Sequence, residues 1–211
     1  MKDHGEKDVA VVINYMKNLI SAAEKAERKL TSSEVDYITW SCDHGIAPET
    51  FLADVFLDRS TKPSGKPGGK PIGKPEEGKG PGIAGQNYAA EVLADEGYYV
   101  EQLERIHKKV DGKDIGNGYG KTPSANPDYL IEERVFDAYT PEKGREMKSI
   151  KKKIKEKTKE QADRIVLVLT DYGKDPVALR DYLLKQTKYD LKHLRELKVI
   201  VNGKVETWFV R

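Results

Sequence analysis

The stretch NPDYLIEERVFDAY, residues 126–139, decides the fold of this chain. Its β-prone run YLI is separated from a second apolar run, VF, by the polar triplet EER, which is the pattern of two strands joined by a tight turn. Asp128 follows a proline, so the chain enters the first strand extended, and the returning strand brings Asp137 back beside it. Two adjacent carboxylates repel each other unless a cation neutralises them. The hairpin therefore predicts a divalent-metal site; the alternative is a pair of polar strand-end residues without a ligand.

The composition is that of a highly solvated protein. The chain has 211 residues, of which 34% are charged, and its mean hydropathy is −0.69. No apolar run approaches the roughly 20 residues that span a membrane, and residues 1–15 carry acids where a signal peptide has a basic and then an apolar stretch. Cys42 is the only cysteine, which excludes an internal disulfide and a cysteine-rich zinc site. We therefore expect neither a membrane-spanning segment nor a signal peptide.

A segment rich in glycine, lysine and proline divides the chain. Residues 60–82 repeat the triplet GKP every four residues and contain one large apolar side chain, Ile72, so they predict an extended, cationic linker that cannot build a core. Residues 1–59 show helical periodicity and predict a small unit of three helices. Residues 83–211 form the larger predicted domain.

The larger domain alternates helical and strand patterns. The predicted order is helix, strand, hairpin, helix, strand, helix and strand, over residues 86–96, 98–103, 126–139, 145–163, 165–169, 176–186 and 199–210. Residues 111–126, rich in glycine, aspartate and asparagine, predict a mobile loop. The run IVLVL at 165–169 is typical of a central strand buried on both faces. These patterns predict an α/β fold with a mixed central sheet flanked by helices, preceded by the small all-α unit.

The acid hairpin and its neighbouring helices supply the groups that phosphodiester hydrolysis needs. A metal ion polarises the phosphoryl oxygen and lowers the pKa of an attacking water, and a cation holds the developing negative charge. Mg²⁺ and Mn²⁺ prefer carboxylate oxygens and water, which Asp128 and Asp137 can provide, with Glu91 of the first helix as a third acid. The helix after the hairpin offers six lysines between residues 151 and 159, and spacing alone does not choose among them.

Several blocks of the chain resemble the CdiA-type C-terminal tRNA nuclease domains of bacterial contact-dependent growth inhibition toxins, which look like relatives of the PD-(D/E)xK nucleases. The blocks are NPDYLI at 126–131, VFDAYTP at 135–141, QADRIVL at 161–167 and the lead-in AEVLADEGYYVEQ at 90–102. The resemblance covers about residues 85–205 and does not extend to residues 1–59. It implies a PD-(D/E)xK-like fold and a metal-dependent nuclease.

The resemblance also implies roles for individual residues. Asp128 and Asp137 would be the metal ligands, for Mg²⁺ or Mn²⁺ with Zn²⁺ as an alternative, and Lys157 would stabilise the developing charge. The usual pattern has its lysine two residues after the second acid, where this chain has Tyr139, so the lysine would come from the following helix. Glu91 would be the helix acid. Further residues would contact the substrate, namely Gln161, Lys155 and Tyr139.

The function that this resemblance implies is a toxin ribonuclease that cleaves tRNA in competing bacteria. It would act in the target-cell cytoplasm after delivery, and a cognate immunity protein would cover its active-site face in the producer. Three alternatives stay open: a DNase of the same fold, a metal-independent RNase, and a non-catalytic phage- or secretion-associated binding module. The RNase alternative would need histidines as acid and base, and the C-terminal part offers only His107 and His193, without a supporting motif.

Overall fold

The computed structural model describes residues 60–78 and 80–211, and the three predicted helices of residues 1–59 lie outside the described residues. The chain divides into two compact units, Met1–Arg59 and Ser60–Arg211. The described part of the second unit contains three helices, a seven-stranded sheet and a separate two-stranded hairpin. In this part of the chain, no helix is long and apolar enough to cross a membrane.

Helices and strands alternate along this unit. The helices are α1 (Pro81–Asp95), α2 (Met147–Glu160) and α3 (Pro176–Gln186). The strands are β1 (Ile72–Gly73), β2 (Val100–Gln102), β3 (Lys108–Val110), β4 (Lys113–Ile115), β5 (Tyr129–Ile131), β6 (Arg134–Tyr139), β7 (Arg164–Val168), β8 (Glu196–Val201) and β9 (Lys204–Val210). The β3–β4 hairpin extends into the segment predicted as a loop.

The sheet is mixed, as predicted, and its strand order is β1-β2-β5-β6-β7-β8-β9. Strands β5 and β6 pair antiparallel, β6–β7 and β7–β8 pair parallel, and β9 returns antiparallel to β8. Helix α1 packs on one face with Val166 and Val168 of β7, while α2 and α3 pack on the other face with Ile165 and Leu167. Strand β7 is therefore buried on both faces, which explains its continuous apolar run.

The turn between β5 and β6 is tighter than predicted. Glu132 and Glu133 both have positive φ, 49° and 64°, which matches the twist that a two-residue hairpin turn needs but strains residues other than glycine. The Glu132 carboxylate accepts hydrogen bonds from the backbone N–H groups of Ser64 (2.9 Å) and Tyr99 (2.8 Å). These two bonds help to hold the turn, and with it the register of the hairpin.

Residues 60–78, which we call the strap, are mostly exposed, as expected of a linker, but their backbone lies against the folded domain. Strand β1 pairs with β2 in parallel at the sheet edge, and the Gly65 N–H donates to the Gly97 carbonyl at 2.9 Å. A Cβ at Gly73, whose φ is +84°, would lie 2.4 Å from the Gln102 carbonyl oxygen. The glycines therefore let the backbone lie directly on the domain, and hydropathy does not detect this mode of packing. Helix α1 begins at Pro81, also inside the predicted linker.

A buried ion pair fixes the start of the strap. Lys198 of β8 is fully buried, and its Nζ lies 3.1 Å from Oε1 of Glu196. The same Nζ donates to the Thr61 carbonyl at 2.7 Å, and the Thr61 hydroxyl donates to Glu196 Oε2 at 2.6 Å. The ring of Tyr98 lies 4.7 Å from the ammonium. These contacts compensate both buried charges, so the strap completes the folded unit.

Candidate active site

The β5–β6 hairpin brings Asp128 and Asp137 together. Tyr129 pairs with Phe136 in the antiparallel register, so the next positions outward, Asp128 and Asp137, lie opposite each other. Both aspartates are buried, with exposed fractions of 6% and 1%. The backbone N–H of Ala138 donates to Oδ2 of Asp128 at 2.7 Å. The predicted juxtaposition of the two acids is therefore present in the structure.

The surroundings of Asp128 favour its protonated form. Burial raises the pKa of Asp128 well above its usual range, and the charge of Asp137 and a hydrogen bond with that carboxyl raise it further. The Lys157 ammonium and the Ala138 N–H oppose this shift but do not cancel it. Asp128 therefore keeps a proton to higher pH than an ordinary aspartate, as expected for two carboxylates that share a buried site.

Lys157 reaches the acid pair from α2. Its Nζ donates to Oδ2 of Asp137 at 2.6 Å, and its side chain is 20% exposed. Ile150 and Ile154 anchor α2 against the sheet, and Lys157 lies one turn after Ile154, at the border of the buried face. The helix thus delivers one lysine to the site, where its ammonium can stabilise a negative charge that develops on a bound group.

Arg105 and Glu76 also lie at this site, although sequence reasoning missed both. Nη2 of Arg105 is 4.0 Å from Oδ1 of Asp128, and its Nε is 3.8 Å from Oε1 of Glu76. The Asn87 side chain holds the strap there, since its Oδ1 accepts the Glu76 N–H and its Nδ2 donates to the Glu76 carbonyl, both at 3.0 Å. No sequence signal pointed to Glu76, because residues 60–82 were assigned to a linker.

The structure does not bring Glu91 to the acid pair. Helix α1 packs on the face of the sheet that Tyr129 and Phe136 share, and these two side chains alternate with the aspartates along their strands. The Glu91 side chain is exposed and lines a groove with strap residues, including Lys70 and Pro71. The helix acid that the resemblance implied therefore lies on the opposite face of the sheet from Lys157.

The three predicted substrate-binding residues lie in different surroundings. Oε1 of Gln161 accepts the backbone N–H of Asn126 at 2.8 Å, so this side chain fixes the segment that leads into Asp128. Nζ of Lys155 donates to Asp190 at 2.7 Å and is thereby engaged in an ion pair. Tyr139 is half-buried, two residues after Asp137 on the same face of β6. Tyr139 also lines a cleft that it shares with residues of α2, among them Lys153.

The acid pair fits a divalent cation that keeps part of its water shell. Among residues 60–78 and 80–211, no group of three or more His, Cys, Asp or Glu side chains could hold a metal ion. Mg²⁺ is commonly bound through one or two carboxylates plus waters and substrate phosphates, and the two buried, adjacent carboxylates of the acid pair supply that donor set. Asp128 and Asp137 are thus the candidate ligands.

Comparison with known proteins agrees with the resemblance seen in the sequence. The family model described as the contact-dependent growth inhibition CdiA C-terminal domain matches residues 124–205, which include the acid pair and Lys157. The solved CdiA-CT/CdiI toxin and immunity complex from Burkholderia pseudomallei is similar, at 25% identity with a TM-score of 0.49, over 66% of this chain and 98% of that chain. No curated protein matches the chain. Residues 124–205 are therefore similar to the CdiA C-terminal domain of contact-dependent growth inhibition.

Proposed function

We propose that the unit formed by residues 60–211 is a metal-dependent tRNA nuclease of the PD-(D/E)xK type, delivered into competing bacteria to act in their cytoplasm. The observation that carries the proposal is the convergence of Asp128, Asp137 and Lys157 at the end of the β5–β6 hairpin. Two buried carboxylates and one ammonium are the groups that phosphoryl transfer uses to place a metal and to stabilise charge.

The cation would be Mg²⁺ or Mn²⁺, with Zn²⁺ as an alternative, held by Asp128 and Asp137. When bound, it supplies Lewis acidity at the phosphoryl oxygen and lowers the pKa of a coordinated water. Because carboxylate ligands bind metal in their deprotonated form, the raised pKa of Asp128 would make protons compete with the cation for this site. Occupancy of the site would therefore depend on pH.

The residues around the pair orient and neutralise the reacting groups. Lys157, now bonded to Asp137, donates to the phosphoryl oxygens as negative charge develops on them. Arg105 lies on the Asp128 side and offers a planar donor fork that suits phosphate. Gln161 positions the strand entry through Asn126 and has no direct role in the chemistry. A phosphodiester bound at the acid pair would thus lie between Lys157 at Asp137 and Arg105 at Asp128.

A nuclease that cleaves tRNA must be restrained in the cell that makes it. We therefore include a cognate immunity protein in the proposal, a partner that occupies the face around Lys157 and excludes RNA. Its affinity would depend on salt, because it would approach a surface that carries cations for phosphate binding.

Cleavage assays test the proposal. The full chain is incubated with total tRNA and, separately, with plasmid DNA, each with Mg²⁺, Mn²⁺ or EDTA, beside the variants Asp137→Asn and Asp171→Asn. Asp171 is an exposed aspartate outside the acid pair, which makes it a matched control. We expect cleavage of tRNA that EDTA and Asp137→Asn abolish and that Asp171→Asn retains. Cleavage of plasmid alone would change the substrate, and cleavage that survives EDTA would exclude the metal mechanism.

A further inference from the structure

A cleft with a volume of about 430 Å³ lies between the end of β6, the segment that follows it and α2. That volume lies within the range of roughly 300–1,000 Å³ typical of small-molecule sites. Three cations, two acids and one aromatic ring contribute to its walls. The lining residues are Tyr139, Thr140, Glu142, Arg145, Ser149, Lys152, Lys153 and Glu156. Of these residues, the resemblance implied a substrate contact for Tyr139 alone, and the proposed catalytic chemistry uses none of them.

The cleft is in register with the candidate catalytic residues. Tyr139 follows Asp137 by two residues on β6 and shares its face of the sheet. Lys153 precedes Lys157 by four residues on α2, so the two lysines lie on the same side of that helix. Each spacing amounts to about 6–7 Å along its element. A strand with its scissile phosphate at Asp137 and Lys157 would therefore place its next nucleotide in the cleft.

The cations of the cleft are held by weak partners. Nη1 of Arg145 lies 3.3 Å from Oε2 of Glu142, and the ammonium groups of Lys152 and Lys153 lie 3.9 and 3.7 Å from the carboxylate of Glu156. All three basic side chains are about half or more exposed, and exposed pairs of this kind contribute little stability. A phosphate can therefore displace the carboxylates of Glu142 and Glu156 from these cations with little loss of stability. The negative charge of Glu156 still repels the phosphate.

The aromatic ring of the cleft suits a nucleobase. Tyr139 packs against the hydrophobic core under α2, and Arg145 lines the same cleft. A half-buried ring next to a guanidinium presents a flat surface on which a base can stack. The cleft thus combines a stacking platform with phosphate-binding cations, which neither a purely ionic patch nor a purely apolar groove would offer.

We propose that this cleft is the subsite for the nucleotide adjacent to the scissile phosphate of an RNA strand. Arg145 and Lys153 bind its phosphate, and Tyr139 stacks on its base. Glu156 weakens the binding because its carboxylate repels the phosphate. The inference rests on the proposed nuclease function, because it takes its position on the strand from the candidate catalytic residues.

Binding is measured without catalysis, by the fluorescence anisotropy of labelled tRNA with the full chain in EDTA. We expect Lys153→Gln and Arg145→Gln each to weaken binding by about three- to tenfold and to lower the slope of log affinity against log salt by about one. Glu156→Gln should tighten binding. The matched control is Lys159→Gln, an exposed lysine of the same helix outside the cleft, which should stay within about twofold of wild type.

Cleavage kinetics then separate this inference from the proposed function. If the wild type cleaves tRNA and Lys153→Gln raises KM with little change in kcat, the subsite is supported. If the wild type cleaves but Lys153→Gln and Arg145→Gln behave as Lys159→Gln does, the subsite is wrong and the nuclease stands. If the wild type cleaves nothing while these two variants still bind RNA more weakly, the nuclease proposal fails and the cleft remains a nucleic-acid site.

Discussion

Asp128→Asn should stabilise the metal-free protein at neutral and alkaline pH. Asparagine resembles the protonated aspartate, since its oxygen still accepts the Ala138 N–H and its amide can donate to Asp137. In the wild type, by contrast, deprotonation places two negative charges in one buried site, which Lys157 beside Asp137 and Arg105 beside Asp128 compensate only in part. The substitution removes one of these charges without changing the shape of the side chain.

The size of the effect follows from the buried pair. Two like charges about 4 Å apart repel each other by about 4 kcal/mol at an effective dielectric constant near 20, and the Lys157 ammonium offsets part of that repulsion. We therefore expect the free energy of unfolding to rise by about 1–3 kcal/mol at pH 8, which corresponds to about 2–4 °C in Tm for each kcal/mol in a unit of this size.

The sign of the pH dependence is the sharper test. The folded-state pKa of Asp128 is raised, so the protonated side chain stabilises the folded wild type. This stabilisation is complete below the unfolded-state pKa of about 3.9, and it is lost as the pH rises through the folded-state pKa. The advantage of Asp128→Asn should therefore be near zero at pH 4 and grow towards pH 8. Urea unfolding in EDTA, followed by far-UV circular dichroism, measures it, with Asp171→Asn as the exposed control. A variant less stable than wild type at pH 8, or an advantage that does not change with pH, would refute the reasoning.

Three further substitutions test other parts of the structure. Glu196→Gln should destabilise the protein by about 3 kcal/mol, because Lys198 stays buried without its counter-charge. In thermal unfolding, the double variant Glu196→Gln with Lys198→Met should have a higher Tm than Glu196→Gln alone. Gly73→Ala should lower the free energy of unfolding by about 1–3 kcal/mol, because the residue has a positive φ and its new Cβ would clash with the Gln102 carbonyl. Amide hydrogen exchange in the strap should become faster, and unchanged exchange would contradict the observed packing. Lys157→Gln should lower kcat for tRNA by about 10²–10³-fold with KM little changed, whereas a change in KM alone would assign it to binding.

The central hairpin was predictable because its chemistry is local. The alternation of apolar residues on either side of a polar turn fixes the register, and the register alone places Asp128 opposite Asp137. The choice of Lys157 among six lysines was not a local inference; it came from resemblance, and the structure brings that lysine to Asp137. Its catalytic role stays a prediction.

The misplaced residues depend on packing between distant segments. Glu91 was chosen as an acid on the first helix, but its place relative to the acid pair depends on which face of the sheet α1 covers, and the sequence of the helix does not encode that choice. The strap has a composition typical of a linker, yet its glycine backbone bonds to the sheet edge. Glu76 and Arg105 were missed because their place beside Asp128 also depends on the packing of segments that are distant in the sequence.

Calorimetric titration of Mn²⁺ into the metal-free full chain tests the central claim, that the acid pair holds a divalent cation beside Lys157. Wild type, Asp128→Asn and Asp137→Asn are compared near pH 6 in two buffers of different ionisation enthalpy, which reports the protons released. We expect one Mn²⁺ to bind the wild type with release of a proton from Asp128, affinity that rises with pH, and at least about tenfold weaker binding in both variants. Absence of binding, or binding that both substitutions leave unchanged, would contradict the account.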